Sequence, residues 1–505
     1  MKDLIISSSD YNHITYMVDE AEISARYGNE VYFLLCNSHF GRCACNVRGN
    51  AFECFRCVRY AKSLLKKCSP NIKIFELDQK KKEEISAEVN KLTFDYFSID
   101  DIKAIEYKGA KVGYGCLSAY LTASRNNNAF IDDEFRAYFD KLLKTACCFA
   151  EYQLRMIDEI RPDRIQLFNG RSLENRAASD FAIQRQILLR SCEQRRVFPH
   201  CFQKRYFYNS LPHSITNNAK MINDLWEDQS IPIKEKELVG RSFFESKYNH
   251  TFSGDKDYTI NQVASKMPDN WDKSKKNYVI FNSSEDEFTA IGDEYDKSKV
   301  FRTQYEGILY IANFFKDRDD VNVYLRIHPN LSNIRYRYHT DLLGLADQFC
   351  NFYVIRGDSN VSTYALMQAA DKVITFGSTT SLEASYMGKP VITLCRNSLS
   401  GIDICYEASS VEEVRKLLMA DELKAKPQTE SIKCGYFLMP PNLPSYSFFD
   451  YNCSDFSFLG KTLRQYNLAK YLGSSKLYAI VGWIVGYPFW ETKLPLKETS
   501  IDKES

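Results

Sequence analysis

Four consecutive hydroxyl side chains in the second half of the chain have the types and spacing to bind a phosphate group: Ser378, Thr379, Thr380 and Ser381. They follow an apolar run, Val373 to Phe376, and Gly377, and they precede a helix-forming segment, Leu382 to Met387. A helix that starts at the end of a buried strand presents backbone N–H groups and the positive end of its dipole, both of which attract anions. Helix capping is the simpler interpretation, but a cap needs one hydroxyl and not four.

Two further polar loops are predicted at strand ends in the same region. The segment NSSEDE follows one apolar run and brings hydroxyls and carboxylates, with Ser284 as a candidate for ligand binding and Glu285 as a candidate for catalysis. The segment RIHPN ends another run and brings Arg326 and His328, which can contact a phosphate or a developing negative charge. A buried core histidine is the alternative interpretation of His328.

The carboxyl ends of the strands in an open α/β sheet meet at one edge, so the three loops are expected to line one crevice. Glu383 lies one turn into the helix after the hydroxyl cluster, where it can accept hydrogen bonds from ribose hydroxyls. Together these residues predict a site for a nucleotide monophosphate or diphosphate. The chain contains neither G-x-G-x-x-G nor G-x4-G-K-S/T, so a standard dinucleotide site and a P-loop are excluded.

A cysteine cluster near the start of the chain is predicted to bind a metal. The preferred ligands are four thiols, with Cys45 or His39 as substitutes: Cys36, Cys43, Cys54 and Cys57. Zinc and a 4Fe–4S cluster both accept four cysteines, and the spacing does not separate them. A fully ligated centre would be a structural clip rather than a catalytic group. Unligated thiols in a chain with 16 cysteines are the alternative.

Strand-like and helix-like segments alternate in both halves of the chain, which predicts an α/β fold with two tandem Rossmann-like domains facing across a cleft. The expected domains are an N-terminal acceptor domain at 1–216 and a donor domain for the nucleotide-sugar at 277–450. A polar helical linker is expected at 217–276. The remaining tail, 451–505, is expected either to pack back on the N-terminal domain or to lie at a membrane surface.

The size and charge of the chain limit its function class. With 505 residues it is too long for one core. A formal net charge of +1 argues against broad nucleic-acid binding. No stretch reaches the ~18 apolar residues of a membrane span. The nearest, Leu477 to Trp490, is expected to be a buried element, with an interfacial anchor through Trp483 and Trp490 as the alternative.

The motifs R-I-H-P-N, G-S-T-T-S-L-E-A and G-K-P-V, within 280–395, resemble those of GT-B glycosyltransferases of bacterial capsule and surface-polysaccharide biosynthesis. That group is similar to the Kdo and sialic acid transferases. The resemblance implies that His328 and the hydroxyl cluster contact the phosphate of a CMP-, UDP- or GDP-linked sugar, with Glu383 near its ribose. It implies no divalent metal for donor binding. In the first domain, Asn169 and Arg171 follow a strand and are candidates for substrate binding.

Sugar transfer with inversion needs a base for the acceptor hydroxyl. We expect Glu193 or Glu285 to supply it, with His328 and Arg326 stabilising the departing phosphate. Further titratable groups lie near predicted strand ends or loops: Asp10, His13, Asp132, Asp133, Glu174, His213 and Glu287. The two D-x-D patterns lie in the linker and before a strand, which does not fit the metal site of a GT-A enzyme.

The sequence therefore predicts a cytoplasmic glycosyltransferase that acts on a glycan or lipid-linked glycan, with peripheral contact at the inner face of the cytoplasmic membrane as a further option. One alternative keeps the fold and changes the chemistry to a nucleotide-sugar epimerase or a polyol-phosphate transferase. Another is a non-enzymatic interaction or nucleic-acid module organised by the cysteine cluster.

Overall fold

The computed structural model describes residues 1–36, 40–197, 201–251, 257–296, 299–441, 443–444, 446–452, 455–458, 461–462 and 492–498. His39 and the segment Leu477 to Trp490 lie outside the described residues. The chain divides into two compact units: Met1–Pro212 with Leu443–Ser505, and His213–Asn442. Among the described residues, no helix combines the length and apolarity that a membrane crossing requires.

The first unit contains a six-stranded sheet in the order β3-β2-β1-β4-β5-β6. Its first five strands are parallel and β6 is antiparallel to β5. The strands are β1 (Lys2–Ile6), β2 (Glu30–Leu34), β3 (Lys73–Phe75), β4 (Arg164–Phe168), β5 (Leu188–Val197) and β6 (Cys201–Tyr208). The helices are α1 (Tyr11–Arg26), α2 (Ala51–Leu65), α3 (Gln79–Val89), α4 (Ile99–Lys103), α5 (Val112–Ser124), α6 (Asp133–Ile160) and α7 (Arg176–Gln184).

Local sequence signals explain where the main helices of this unit begin. The side chain of Asp10 accepts a hydrogen bond from Asn12 N at 2.8 Å at the start of α1. Asp132 accepts from Phe135 N at 3.0 Å at the start of α6. Both carboxylates satisfy N–H groups that have no partner within the helix and complement the positive end of its dipole.

The second unit contains a parallel six-stranded sheet in the order β12-β11-β10-β7-β8-β9. The strands are β7 (Lys276–Phe281), β8 (Val321–Arg326), β9 (Phe352–Ile355), β10 (Lys372–Thr375), β11 (Val391–Thr393) and β12 (Tyr406–Glu407). The helices are α8 (Ile215–Glu227), α9 (Ile233–Tyr248), α10 (Asp293–Asp296), α11 (Gln304–Phe315), α12 (Arg337–Leu343), α13 (Thr363–Ala369), α14 (Thr380–Tyr386), α15 (Val411–Met419) and α16 (Gln428–Leu438).

Helices cover both faces of this sheet because its strands are apolar on both sides. On β7, Val279 and Phe281 pack into one hydrophobic cluster, while Tyr278 and Ile280 pack into the other. Strands buried on both faces are typical of parallel sheets. In both units the first strand lies inside the sheet, with the next two strands on one side and the last three on the other, which is the Rossmann order. The predicted fold class, two tandem Rossmann-like domains, is confirmed.

Late in the chain a small antiparallel sheet, in the order β13-β14-β15, is formed within the first unit. Its strands are β13 (Phe449–Asn452), β14 (Asp455–Phe458) and β15 (Lys461–Thr462). Just before it, the N–H of Phe448 donates to Asp19 on α1 at 2.8 Å, and the guanidinium of Arg26 lies 4.1 Å from the centre of the Phe448 ring.

Several element boundaries differ from the sequence-based expectation. The sequence pattern indicates a helix from Arg59 to Lys67, whereas α2 begins at Ala51, so Cys54 and Cys57 lie one turn apart on it. The pattern also indicates one helix over 170–189, where the structure has α7 followed by the start of β5. The segment 217–276, expected as a linker, carries most of α8 and all of α9, and both helices pack on the core of the second unit.

Helices α9 and α16 approach closely where two glycines face each other. A Cβ at Gly240 would overlap the carbonyl oxygen of Ile432, and a Cβ at Gly435 would overlap that of Gly240. We expect Gly240→Ala to lower the free energy of unfolding by roughly 1–3 kcal/mol, because overpacking outweighs the better helix propensity of alanine. Denaturant titration measures the loss. Gly344→Ala is the control, because no atom lies within 4 Å of its added Cβ. Equal stability of both variants would contradict the predicted overlap.

Candidate functional site

The order of strands in the second unit places its crevice between β7 and β10. The chain leaves β7 for β8 and β9 on one side and returns to β10 on the other, and ligands of such sheets bind at the carboxyl ends of the strands at this point. The loop that follows β7 and the loop that follows β10 are hydrogen-bonded to each other at this edge. The hydroxyl of Ser283 donates to the carbonyl of Phe376 at 2.6 Å, and the N–H of Ser283 donates to the side-chain oxygen of Gln304 at 3.1 Å.

His328 lies on the other side of the β7 loop, at the end of β8. Its backbone N–H donates to Asn282 Oδ1 at 2.7 Å, which fixes it against the loop that follows β7. Its ring Nδ1 accepts from the N–H of Asn330 at 3.2 Å, so we assign the proton of the neutral ring to Nε2. The ring of Tyr258 packs edge-on at 5.0 Å between centroids. His328 is half-buried, so its ring is held in place but is not sealed from solvent.

The hydroxyl cluster divides into two pairs. Ser378 Oγ accepts from Thr380 N at 3.3 Å and from Thr380 Oγ1 at 2.8 Å, and Ser381 Oγ donates to the carbonyl of Ser378 at 2.9 Å. Ser378 and Ser381 are buried and shape the turn, whereas Thr379 is exposed and Thr380 is half-buried. No side-chain hydrogen bond from Thr379 caps α14. Ser378 instead satisfies the first N–H of α14, so the capping interpretation fits Ser378 and leaves the hydroxyl of Thr379 outside the cap.

The side chain of Arg326 turns into the protein at the end of β8. Its side chain is buried, with 2% exposure, and donates to the carbonyl of Arg356 and, at 3.0 Å, to the carbonyl of Ser359. Burial lowers its pKa to about 10. These contacts hold the loop that follows β9. Nε of the same guanidinium is buried without a hydrogen-bond partner among the described residues, and a phosphate contact of Arg326 stays a prediction.

Glu383 and the loop after β7 supply the carboxylates near this edge. Glu383 is buried and accepts from Lys247 Nζ at 3.4 Å. Ser284 Oγ donates to Asp286 Oδ1 at 2.8 Å, so the predicted ligand-binding hydroxyl has a partner within its own loop. Burial raises the pKa of Glu285, and the positive charge of Lys299 opposes that shift.

The first unit has an equivalent crevice between β1 and β4. The loop after β4 turns at Asn169 and Gly170, which have φ values of 60° and 80°. The side-chain amide of Asn169 donates to the carboxylate of Glu193 on β5, and the N–H of Arg171 donates to Asn169 Oδ1 at 3.3 Å. The structure thus brings three of the predicted residues together at one strand end.

Glu193 has the electrostatics of a proton acceptor that works near neutral pH. Desolvation raises its pKa to about 7, although the hydrogen bond from Asn169 and the charge of Arg171 act in the opposite direction. The residue is half-buried. Nearby, the ring of His13 stacks on Phe168 at 3.7 Å between centroids, and burial lowers the pKa of His13.

The cysteines near the start of the chain line a cavity at the carboxyl ends of β1 and β2, together with Ser7 to Asp10 and Glu174. They are Cys36, Cys43, Cys45, Cys54 and Cys57. Within the described ranges, no group of three or more His, Cys, Asp or Glu side chains is arranged to hold a metal ion. The predicted thiols therefore line one cavity, but the part of the chain that the structure describes holds no arrangement that fits a metal, and metal binding at this cluster stays a prediction.

Several residues that organise these sites were not assigned a role from the sequence. Asn282 positions His328, Gln304 holds Ser283, and Tyr258 packs on the histidine ring. Glu174, predicted only as one of the further titratable groups, accepts from Ser9 Oγ at 2.6 Å and from Ala44 N at 3.0 Å, which ties the cysteine loop to the end of β1. Asn282 could have been found, because it is the first residue after a buried strand. The other contacts join distant parts of the chain.

No protein-family model matches this chain, and no curated protein sequence matches it either. A search of solved structures returns, among others, two structures of Thermosulfurimonas dismutans KpsC. The beta Kdo 2,4 transferase has 12% identity and a TM-score of 0.33 over 61% of this chain and 86% of its own. The beta Kdo 2,7 transferase has 13% identity and a TM-score of 0.33 over 64% and 88%. UDP-GlcNAc 2-epimerase from Neisseria meningitidis has 10% identity and a TM-score of 0.25 over 88% and 100%.

Proposed function

We propose that this protein is a glycosyltransferase that moves a sugar from a nucleotide-activated donor to a hydroxyl of a surface-glycan acceptor. The observation that carries the proposal is the edge of the second sheet. There His328 and the hydroxyl turn lie on either side of the loop that follows β7, at the position where a Rossmann-like sheet binds its ligand. The motifs of these loops support the same class of enzyme.

The donor phosphate is proposed to bind against the exposed end of the hydroxyl turn and the ring of His328. Thr379 and Thr380 offer hydroxyls at the end of β10, and the Nε2 proton of the neutral histidine can donate to a phosphate oxygen. When the bond between the anomeric carbon and the phosphate oxygen breaks, the leaving nucleotide keeps the electron pair. A fixed donor stabilises that charge without rearranging, which is the basis of electrostatic catalysis.

The acceptor hydroxyl needs a group that takes its proton as its oxygen bonds to the anomeric carbon. We assign this to Glu193, because a carboxylate with a pKa of about 7 can accept a proton at neutral pH and return it to solvent. The side-chain amide of Asn169 holds that carboxylate in place, and the N–H of Arg171 in turn donates to Asn169 Oδ1. Glu285, the other predicted base, lies at the end of β7 and is kept as the second candidate.

Acceptor-dependent release of the nucleotide tests this function. The protein is incubated with CMP-, UDP- and GDP-linked sugars, with and without a mixture of glycan acceptors, and the nucleotide product is quantified. We expect release from one donor only when an acceptor is present, together with a glycan that is one sugar longer. Conversion of the donor sugar without any acceptor would instead identify an epimerase and contradict transfer.

Removing two hydroxyls of the turn should weaken nucleotide binding. We expect the double variant Thr379→Ala with Thr380→Ala to bind the nucleotide about tenfold more weakly, since a hydrogen bond to a charged group contributes about 1.5 kcal/mol. Calorimetric titration measures the dissociation constant. Thr340→Ala, which removes an exposed hydroxyl on α12, is the matched control. An unchanged constant in the double variant, with its fold intact, would reject the turn as the phosphate site.

A further inference from the structure

We propose that a cavity between helices α9, α13 and α14 of the second unit binds an uncharged sugar residue of a glycan chain. The proposal does not depend on sugar transfer in the crevice, because a glycan can be held at this cavity without being modified. It rests on the aromatic rings that line the cavity, on the carboxylate of Glu383 and on the charge of the cavity walls.

The cavity follows α14 away from the hydroxyl turn. Its lining along this helix runs from Glu383 in the first turn to Gly388 beyond the last one. Each helical residue adds about 1.5 Å, so the lining moves steadily away from the N-terminus of α14, where the phosphate is proposed to bind. The cavity has a volume of about 490 Å³. Ligand sites of proteins typically have roughly 300–1,000 Å³, so the space is sufficient for a sugar residue.

Four aromatic rings line the cavity and are held in place by packing: Phe244, Tyr248, Tyr364 and Tyr386. Phe244 is buried in the core and stacks in parallel on Tyr386 at 3.8 Å between centroids. The ring of Tyr248 lies 5.4 Å from that of Tyr364, yet Tyr248 is 58% exposed. The C–H groups on one face of a pyranose ring carry partial positive charge and pack against the electronegative face of an aromatic ring. The exposed ring of Tyr248 offers such a face.

Glu383 supplies acceptors for the hydroxyls of the sugar. Its carboxylate is buried and accepts from Lys247 Nζ at 3.4 Å. Burial and the nearby charge of Glu383 raise the pKa of the Tyr364 phenol, which therefore keeps its proton beside the carboxylate. A carboxylate has about four acceptor positions. Two neighbouring hydroxyls of a sugar can thus donate to Glu383 while Lys247 keeps its contact.

The charge of the walls favours a neutral ligand. Glu245 and Glu383 both line the cavity, and Lys247 offsets one of the two negative charges. Within the described part of the chain, no lysine or arginine belongs to the lining itself. Met387 and Gly388 lie at the C-terminal end of α14, which is the negative end of the helix dipole. A phosphate or a sugar carboxylate would be repelled here, whereas an uncharged sugar would not.

The test is an array of neutral and acidic oligosaccharides probed with the full chain, followed by calorimetric titration of the oligosaccharide that binds best. We expect neutral oligosaccharides to bind. Tyr248→Ala and Glu383→Gln should each weaken the binding by about tenfold, since one removes an aromatic contact and the other a charged acceptor. Tyr27→Ala, which removes an exposed tyrosine at the end of α1 in the first unit, is the matched control and should bind like the wild type.

Nucleotide binding by the same variants separates this cavity from the crevice, because the sequence motifs imply that Glu383 lies near the ribose of the donor. We expect Tyr248→Ala to keep the nucleotide affinity of the wild type, and Thr379→Ala with Thr380→Ala to keep its glycan affinity, so that either proposal can fail alone. An array that binds only acidic glycans, or none, would overturn the neutral-sugar site. Unchanged glycan affinity in both Tyr248→Ala and Glu383→Gln would overturn the assignment to this cavity. A loss of nucleotide affinity in Tyr248→Ala, with unchanged glycan binding, would assign the cavity to the nucleoside instead.

Discussion

Glu193→Gln is expected to lower kcat for sugar transfer by about 10²–10⁴-fold, which is the usual contribution of a general base. The amide keeps the size of the side chain and can still bond to Asn169, but it cannot take a proton from the acceptor. Initial rates at saturating donor and acceptor measure the effect. Glu134→Gln, at an exposed position on α6, is the matched control and should leave kcat unchanged.

The pH dependence makes this prediction more specific. Because the pKa of Glu193 is raised from 4.5 to about 7, kcat of the wild type should rise as pH increases through 7, and the rate of Glu193→Gln should lack that step. An unchanged kcat in Glu193→Gln would remove the residue from the mechanism and leave Glu285 as the candidate base.

Glu193→Gln should lose activity but gain stability above neutral pH. A carboxyl whose pKa is higher in the folded state favours folding below its unfolded value and loses that contribution as pH rises through the folded value. The wild type should therefore lose stability between about pH 4.5 and 7, whereas Glu193→Gln should not. Above pH 7 we expect the variant to be more stable by about 1–3 kcal/mol. Inactivity with greater stability would separate a catalytic role from a structural one.

His328→Ala is expected to lower kcat by about 10²–10³-fold, because it removes a fixed donor at the site where the leaving phosphate gains charge. Two conservative variants distinguish the acceptor role of Nδ1 from the donor role of Nε2. His328→Asn can keep the acceptor for the N–H of Asn330 but has no donor in the position of Nε2, so it should be folded and inactive. His328→Gln can place an amide donor near that position and should recover part of the rate.

The kinetics and melting temperatures of these three variants decide between catalysis and packing. If the histidine served only the turn at the end of β8, His328→Asn would retain full activity, and the role proposed for Nε2 would be wrong. Equal losses of melting temperature and rate across all three variants would assign the residue to stability.

The sequence predicts the second crevice well because each of its parts is local. Asn282, His328 and the hydroxyl cluster each follow a buried apolar run, and strand ends in an alternating α/β pattern fall at one edge. The neighbouring sequence does not reveal the direction in which a long side chain points. Arg326 also stands at a strand end, but it turns towards carbonyls of the loop after β9, and only the packed structure reveals those partners.

The antiparallel strand β6 shows a second limit. It carries Lys204, which is fully buried and donates to Asp19 and to Glu20 on α1, the latter at 2.7 Å. A lysine in a strand normally indicates an exposed face. The compensating carboxylates lie about 185 residues earlier in the chain, so no local pattern predicts this strand. The same reasoning applies to Glu193, whose place beside Asn169 depends on the pairing of β4 with β5.

Thermal unfolding of the wild-type chain in increasing concentrations of CMP, UDP, GDP and their sugar conjugates tests the central claim most directly, since a ligand that binds only the folded state stabilises it more as its concentration passes the dissociation constant. The account predicts that at least one of these nucleotides raises the melting temperature progressively, and that His328→Ala and the double hydroxyl variant show a smaller rise. No shift with any of them up to millimolar concentration would contradict a nucleotide site at the end of β7, β8 and β10.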